Sequence, residues 1–98
     1  MLVKIHKSYR DIVAICDSEL IGKVFEQDKF QLDVKESFFK GNEKTRHEVL
    51  EIMIDMAKED ATFNIIGKEA VELALEAGII NKQGIKEIAG IPFALVLL

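Results

Sequence analysis

The clearest helical pattern in the chain runs over residues 68–77. Charged residues alternate there with apolar residues spaced three and four apart, namely Ala70, Leu73, Ala74 and Ala77. This spacing is typical of an amphipathic helix with one buried face. Gly78 follows, where a glycine commonly ends a helix in the left-handed conformation. Gly67 precedes the pattern and could serve as the N-cap or as the hinge before the helix. The pattern predicts a helix whose small alanines allow another element to pack closely.

A second helical pattern precedes the first. Asn42 is a favoured N-cap residue, and it predicts a helix running from Glu43 to Lys58. Charged residues cover most of its surface, and its apolar stripe consists of Val49, Ile52, Met53 and Met56. The two helices would therefore each bury one face.

Short apolar runs separated by polar turns predict strands in the first 35 residues. The runs cover residues 2–6, 12–16, 20–25 and 30–34. The second run is apolar on both faces, which is typical of a covered central strand, and it should pair with the first run as a hairpin. Gly22 inside the third run indicates a bulge. The fourth run alternates apolar and polar residues, as a half-buried strand does.

Two segments in the second half of the chain leave alternatives open. The β-branched and aromatic residues of Thr62–Ile66 favour a short strand, but the segment could also continue the preceding helix and break at Gly67. Residues 85–89 fit either a short strand or a helical turn. Pro92 lacks an amide hydrogen and should lie at the entry to a final strand. The apolar residues 93–98 would form that strand, buried in the sheet against a helix or a partner.

Together these elements predict a single α+β domain over residues 1–98. Its mainly antiparallel sheet would be formed by the N-terminal hairpins plus the C-terminal strand, with two helices packed on one face. A chain of 98 residues, of which 49% are apolar, can bury a core of its own. No apolar run approaches the roughly 20 residues of a membrane span, and no secretion signal is visible. We therefore expect a cytoplasmic protein with no membrane partner.

The sequence contains no recognisable catalytic or metal-binding motif. The potential ligands His6, Cys16 and His47 lack the paired spacings of metal sites. No nucleophile elbow, phosphate loop or dinucleotide fingerprint is present. A single cysteine at the end of an apolar strand is usually a small buried hydrophobic residue. We therefore expect a protein that is not an enzyme and that uses no metal and no cofactor.

Motifs spread over the chain resemble those of a known family. Residues 61–71 match the pattern A-x-x-N-x-x-G-x-x-A-V, with Asn64 and Gly67 at its fixed polar and glycine positions. The Leu-Ile-Gly-Lys sequence of residues 20–23 and the late Gly90-Ile91-Pro92 match as well, so the resemblance spans nearly the full chain. These features are similar to those of the small archaeal proteins catalogued as domain of unknown function 424.

The resemblance implies an archaeal, cytosolic protein of about this length with no assigned activity and an association with the translation machinery. The chain departs from the family pattern after Pro92, where Phe93-Ala94-Leu95 stand in place of His-Ala-Gln. This protein would therefore lack any polar function that the family has at those positions.

A basic cluster near the N-terminus is the first candidate for a binding surface. Residues 1–10 carry three cations and no acid, although the whole chain has a net charge of −4. Cations around an aromatic ring suit phosphate contact and base stacking, and they are also typical of solubilising protection of a sheet edge. We expect a non-catalytic binding module that contacts RNA or a ribonucleoprotein of the translation machinery through Lys4, His6, Lys7, Tyr9 and Arg10.

Two further hypotheses concern anions and protein partners. Asn64, Gly67 and Lys68 could place backbone amides and a cation at a helix N-terminus, an arrangement that binds anions, although Asn64 could equally bond the backbone of the turn.

The alternative function is a protein–protein interaction or homodimerisation module without nucleic acid. The apolar C-terminal strand, with Phe38 and Phe39, supplies more apolar surface than two helices can cover.

Overall fold

The computed structural model describes residues 1–97, which form eight strands and three α-helices. The strands are β1 (Leu2–His6), β2 (Ile12–Cys16), β3 (Val24–Gln27), β4 (Phe30–Asp33), β5 (Asn42–Glu43), β6 (Thr62–Ile66), β7 (Lys86–Ile88) and β8 (Ile91–Val96). The helices are α1 (Glu36–Phe39), α2 (Arg46–Lys58) and α3 (Lys68–Ala77). The longest of these helices has 13 residues, and none has the length and apolar character that a membrane crossing needs.

Six strands form one sheet in the order β5-β1-β2-β6-β8-β7, and β3 pairs with β4 as a separate hairpin. Every pair in the six-stranded sheet is antiparallel except β2 with β6, which run parallel at its centre. The predicted α+β class with a mainly antiparallel sheet is therefore confirmed, with one parallel pair added.

Helices α2 and α3 pack on one face of the sheet, as the sequence predicts. Helix α3 has the predicted bounds, and Gly78 ends it in the left-handed conformation at φ 76°. Ala70 and Ala74 are fully buried where α3 meets the rest of the core. This core also contains Val13, Ile15, Val49, Met53, Phe63, Ile65 and Leu73.

Helix α2 begins three residues later than the sequence predicts. The Thr45 side chain accepts a hydrogen bond from the Glu48 amide, and the Glu48 carboxylate accepts one from the Thr45 amide, which together make a capping box. Asn42 and Glu43 instead form β5, which pairs with β1. The predicted Asn42 cap is therefore wrong, because pairing with β1 also holds Glu43 in an extended conformation, so no helix can begin directly after Asn42.

The Glu43 carboxylate fixes this short strand to the start of the chain. It lies 2.6 Å from the Met1 ammonium and accepts a hydrogen bond of 2.7 Å from the Ser18 hydroxyl. The bond with the Met1 ammonium, followed by that with Ser18, lowers the pKa of Glu43 below its usual value. The start of the chain is thereby tied to the segment that precedes α2.

The third predicted strand is displaced. Residues Ser18–Leu20 form a 3₁₀ turn, Gly22 has φ 79°, and β3 begins only at Val24. Leu20 is buried, but it lies in this turn and not in a strand. The apolar residue is therefore explained by packing of the turn against the core. The predicted strand over residues 20–25 is therefore wrong in its first half.

The open assignments of the second half resolve as strands. Thr62–Ile66 is β6, paired with both β2 and β8, and residues 86–88 form β7. Pro92 is the second residue of β8, where its carbonyl accepts a hydrogen bond from the Gly67 amide. Leu95 in this strand is 54% exposed, so no helix of the described chain buries it, and of the two expected covers only a partner remains for this position. The predicted end of the strand, Leu98, lies outside the described residues.

The second face of the sheet is partly covered by the β3–β4 hairpin and α1. Leu32 and Val34 from the end of the hairpin, together with Phe39 of α1, are buried against this face. The sheet contributes Ala14, Cys16 and Ile66 to the same cluster. The sequence predicts helices on one face and does not anticipate this second, smaller layer.

A buried carboxylate joins the ends of the two central strands. Asp17 follows β2 and is 3% exposed, and its two carboxylate oxygens accept hydrogen bonds from the first-turn amides of Glu69 (3.1 Å) and Ala70 (2.9 Å). Burial raises the pKa of the Asp17 carboxyl, and the two amide donors act in the opposite direction. Asp17 therefore supplies the cap that Gly67, with no side chain, cannot give to α3.

Gly67 is the residue that makes room for this carboxylate. Its φ of 114° lies in a region that other residues rarely adopt, and a Cβ atom at this position would collide with the Asp17 carboxylate group. The Gly67 amide also bonds the Pro92 carbonyl at 2.9 Å. Strands β2, β6 and β8 and helix α3 therefore meet at one point where only glycine fits.

We expect Gly67→Ala to lower the free energy of unfolding by about 3 kcal/mol or more, because it combines backbone strain with displacement of a buried carboxylate. Gly78→Ala is the matched control, since Gly78 also has positive φ but has no atom within 4 Å of an added Cβ. The control should lose only about 1 kcal/mol, from strain alone. Urea denaturation measures both values, and equal losses would contradict the clash with Asp17.

Candidate functional site

Two of the five predicted nucleic-acid-binding residues hold α1 in place. Lys4 Nζ donates a hydrogen bond to the Ser37 carbonyl at 2.9 Å, and His6 Nε2 donates one to the Phe38 carbonyl at 2.9 Å. The His6 ring also stacks on the Phe38 ring, with 4.5 Å between the ring centroids. Lys4 Nζ and His6 Nε2 therefore each already have a partner within the protein.

The other three residues lie in the loop between β1 and β2. Tyr9 is fully exposed, and Lys7 forms an ion pair with Asp11 at 3.2 Å. The adjacent cavity of about 520 Å³ is lined by Lys7, Tyr9 and Arg10 but also by Asp11, Glu59 and Asp60. The structure thus divides the predicted patch in two and places three acids beside the loop cations.

The predicted anion site is not assembled as one group. Asn64 lies on the face of β6 that is opposite the helices, in register with Ala14 of β2 and Leu95 of β8. At the start of α3, after Gly67, the amides of Glu69 and Ala70 are bonded to Asp17. An internal carboxylate therefore occupies the position that a bound anion would take, and Lys68 is exposed beside it.

A groove of about 550 Å³ lies on this same sheet face, between the sheet and the segment from β4 to α1. We call it the β6–β8 groove. Asn64 pairs with Leu95 and Ile66 with Phe93, so these four side chains project into it from adjacent strands. The side chains most relevant to binding are those of Leu32, Phe38, Asn64, Ile66, Phe93 and Leu95.

The groove is mostly apolar, with one amide and a few charges. Asn64 is half-buried and is the one side-chain amide among the described residues that line it. Lys35 and Asp33 are exposed at its margin, and Lys86 flanks Phe93 and Leu95 from the neighbouring strand β7. The arrangement can accept apolar groups and form hydrogen bonds with a polar group near its centre.

The described residues hold no cluster of potential metal ligands, and their one thiol is buried. Within residues 1–97 no three side chains of His, Cys, Asp or Glu come together as a metal site would require. Cys16 is fully buried, and burial, with a smaller contribution from the Asp17 charge, raises the pKa of its thiol to about 11. The Cys16 thiol is therefore protonated at neutral pH.

The sequence indicates Asn64, Phe38 and Phe93 as separate candidates for binding. No spacing along the chain shows that these residues line one groove. The sequence Phe93-Ala94-Leu95 places two apolar side chains in the groove, since Phe93 and Leu95 share its face while Ala94 is buried on the other. No pattern in the sequence indicates Lys35 or Lys86 as a binding residue. An amide in an otherwise apolar strand is the feature that could have indicated the groove.

The fold and the motifs place the protein in a class of small α+β proteins without an assigned activity. The chain matches the family described as "Protein of unknown function (DUF424)" over residues 6–98, and it belongs to that family. It is also similar to a solved structure described as an uncharacterized conserved protein from Methanopyrus kandleri, with a TM-score of 0.86 and 22% identity. That alignment covers 97% of this chain and 88% of the other. No curated protein matches the chain.

We expect Cys16 to react slowly with a thiol reagent while the protein is folded. With its pKa at about 11 rather than the ordinary 9.0, roughly one thiol in a thousand is ionised at pH 8, and the thiolate is the reactive form. Dithionitrobenzoate should label the native protein at least about a hundredfold more slowly than the protein in urea. Labelling of the native protein at the unfolded rate would show that the thiol is accessible and reactive.

Proposed function

We propose that the protein is a non-catalytic protein-binding module that holds an apolar segment of a partner in the β6–β8 groove. The observation that carries this proposal is the exposure of Leu95, which is 54% exposed beside Phe93 and Phe38 in a groove of about 550 Å³. Apolar side chains that share an open concave surface lose contact with water when a partner covers them. Burial of these side chains would provide most of the binding free energy.

The charges around the groove define the chemistry of the partner. Lys35 lies at one margin, beside Asp33, the one acid among the described lining residues. Lys86 lies outside the groove, where it flanks Phe93 from β7 and adds a second cation on that side. Charge complementarity favours a partner segment that carries acidic residues beside its apolar ones. The partner is therefore an apolar segment flanked by acids.

The proposal is tested by selecting binders from a random dodecapeptide display library and measuring their affinity for variants of the protein. We expect the selected peptides to contain apolar residues with neighbouring acids, and Leu95→Asp to weaken their binding at least about tenfold, because it places a charge in an apolar contact. Lys35→Glu should weaken the acidic peptides several-fold by charge repulsion.

Val24→Asp is the matched control, since Val24 is 50% exposed in a strand but lies outside the groove. It should leave affinity unchanged, and circular dichroism checks that all three variants are folded. Selected peptides that bind Leu95→Asp as tightly as the parent would contradict the proposal. A homodimer that dissociates in Leu95→Asp would also contradict it, because the groove would then hold a second copy of the chain.

We propose RNA or ribonucleoprotein contact at the tip of the β1–β2 loop as a second function. Its support is the fully exposed ring of Tyr9, next to Arg10 and Lys7. An exposed aromatic ring beside cations can stack on a base while the cations contact phosphates. The adjacent acids and the Lys7–Asp11 ion pair oppose this function, and so it ranks below the groove.

Binding of a fluorescent twelve-nucleotide oligouridylate at several salt concentrations tests this second function. We expect binding that weakens steeply with salt and is lost in the double variant Lys7→Glu, Arg10→Glu, because the phosphate contacts are removed. Lys23→Glu with Lys29→Glu is the control, as both lysines are exposed in or near the β3–β4 hairpin. Equal loss in both double variants would indicate non-specific attraction and contradict a site at the loop.

A further inference from the structure

Asn64 is an unfavourable residue for the position that it occupies. It lies in β6, which has a strand on either side, and its neighbours along the strand, Phe63 and Ile65, are buried. Across the sheet it lies between Ala14 and Leu95, which are both apolar. Asparagine is depleted in strands, and a β-branched apolar residue would pack better between such neighbours. Asn64 therefore stabilises the sheet less than an apolar residue would at this position.

The Asn64 amide is directed into the groove without a bond that fixes it. Its side chain makes no hydrogen bond to another described residue, whereas the nearby polar side chains Lys4 and His6 bond the backbone of α1. The half-buried amide remains accessible from the groove. A carboxamide has a donor and an acceptor side by side, so it can bond the C=O and N–H groups of a peptide backbone at the same time.

The spacing of the groove residues matches an extended chain. Phe93 and Leu95 lie two residues apart on β8 and project from the same face, so their side chains are about 7 Å apart. An extended peptide repeats its side chains at the same interval on each face. Asn64 lies on β6 directly opposite Leu95. Two apolar side chains of a peptide could therefore contact Phe93 and Leu95 while its backbone, running along β6, stays within reach of the Asn64 amide.

We propose that Asn64 binds the backbone of an extended partner segment whose apolar side chains alternate along the β6–β8 groove. This inference rests on the proposed protein-binding function and specifies its ligand: a segment with two apolar residues separated by one residue, flanked by acids that face Lys35 and Lys86. The backbone bond gives affinity for the extended conformation, and the apolar contacts select the side chains.

A double-mutant cycle with synthetic peptides tests the inference. The probe is acetyl-Glu-Leu-Thr-Leu-Glu-amide, and its partner is the same peptide with the central threonine amide N-methylated, which removes one backbone donor. We expect N-methylation to weaken binding to the parent protein about tenfold, and Asn64→Val to weaken binding of the unmodified peptide at least as much, because it also removes the bond to the peptide C=O. N-methylation should then have little further effect on Asn64→Val, because its bonding partner is already absent.

Two controls separate this inference from the proposal on which it rests. Asn42→Val, in the short strand β5 outside the groove, should bind both peptides as the parent does. Asn64→Val should melt at the same temperature as the parent or higher, which shows that its lost affinity does not come from unfolding.

The outcomes distinguish the two proposals. If the peptide binds in a way that Leu95→Asp abolishes but neither N-methylation nor Asn64→Val affects, the groove stands and the role of Asn64 is overturned. If neither peptide binds, or if both bind Leu95→Asp normally, the proposed function and this inference both fail. Displacement of the peptide by oligouridylate in a manner that depends on Asn64 would show that the amide binds a base edge, and it would also overturn the inference.

Discussion

The rest of the structure depends on the hydrogen bonds that the first-turn amides of α3 donate to the Asp17 carboxylate. These bonds join the end of β2 to the start of α3. The parallel register pairs Cys16 with Ile66, so the residues that follow, Asp17 and Gly67, emerge side by side at the same end of the sheet. A carboxylate at that point satisfies two amides of the helix start, and the positive end of the helix favours its negative charge. One buried group thus determines how α3 leaves the sheet.

Local patterns in the sequence are sufficient for most of the elements. The spacing of alanines and leucines between two glycines predicts α3 with its observed bounds, and alternating or continuous apolar runs predict β1 and β2. For β6 the residue types favour a strand but leave a continuation of the preceding helix open. Local patterns cannot predict where an element begins when pairing with a distant segment decides it. Asn42 and Thr45 are both good N-cap residues, and α2 starts at the second one because Asn42 pairs with β1, about 40 residues away in the sequence.

The same limit applies to the candidate site. Lys4 and His6 suggest a basic patch when read along the chain, but the structure places them under α1, where they bond two backbone carbonyls. The β6–β8 groove combines residues from β4, α1, β6 and β8, which no spacing in the sequence connects. Asn64 is the exception, since an amide among strand-forming apolar residues is visible in the sequence itself, although its direction is not.

The parallel pairing of β2 with β6 has a consequence for the order in which the chain can fold. The whole stretch from Asp17 to Ala61 separates the two central strands in the sequence. The chain must therefore close a long loop before β2 and β6 can pair, and the lost conformational entropy of that loop opposes the pairing. The hairpin of β1 and β2 can form early, but one edge of its apolar strand stays open until β6 arrives. During synthesis on the ribosome this edge is exposed while some 50 further residues are added, which makes it the segment most in need of protection from aggregation.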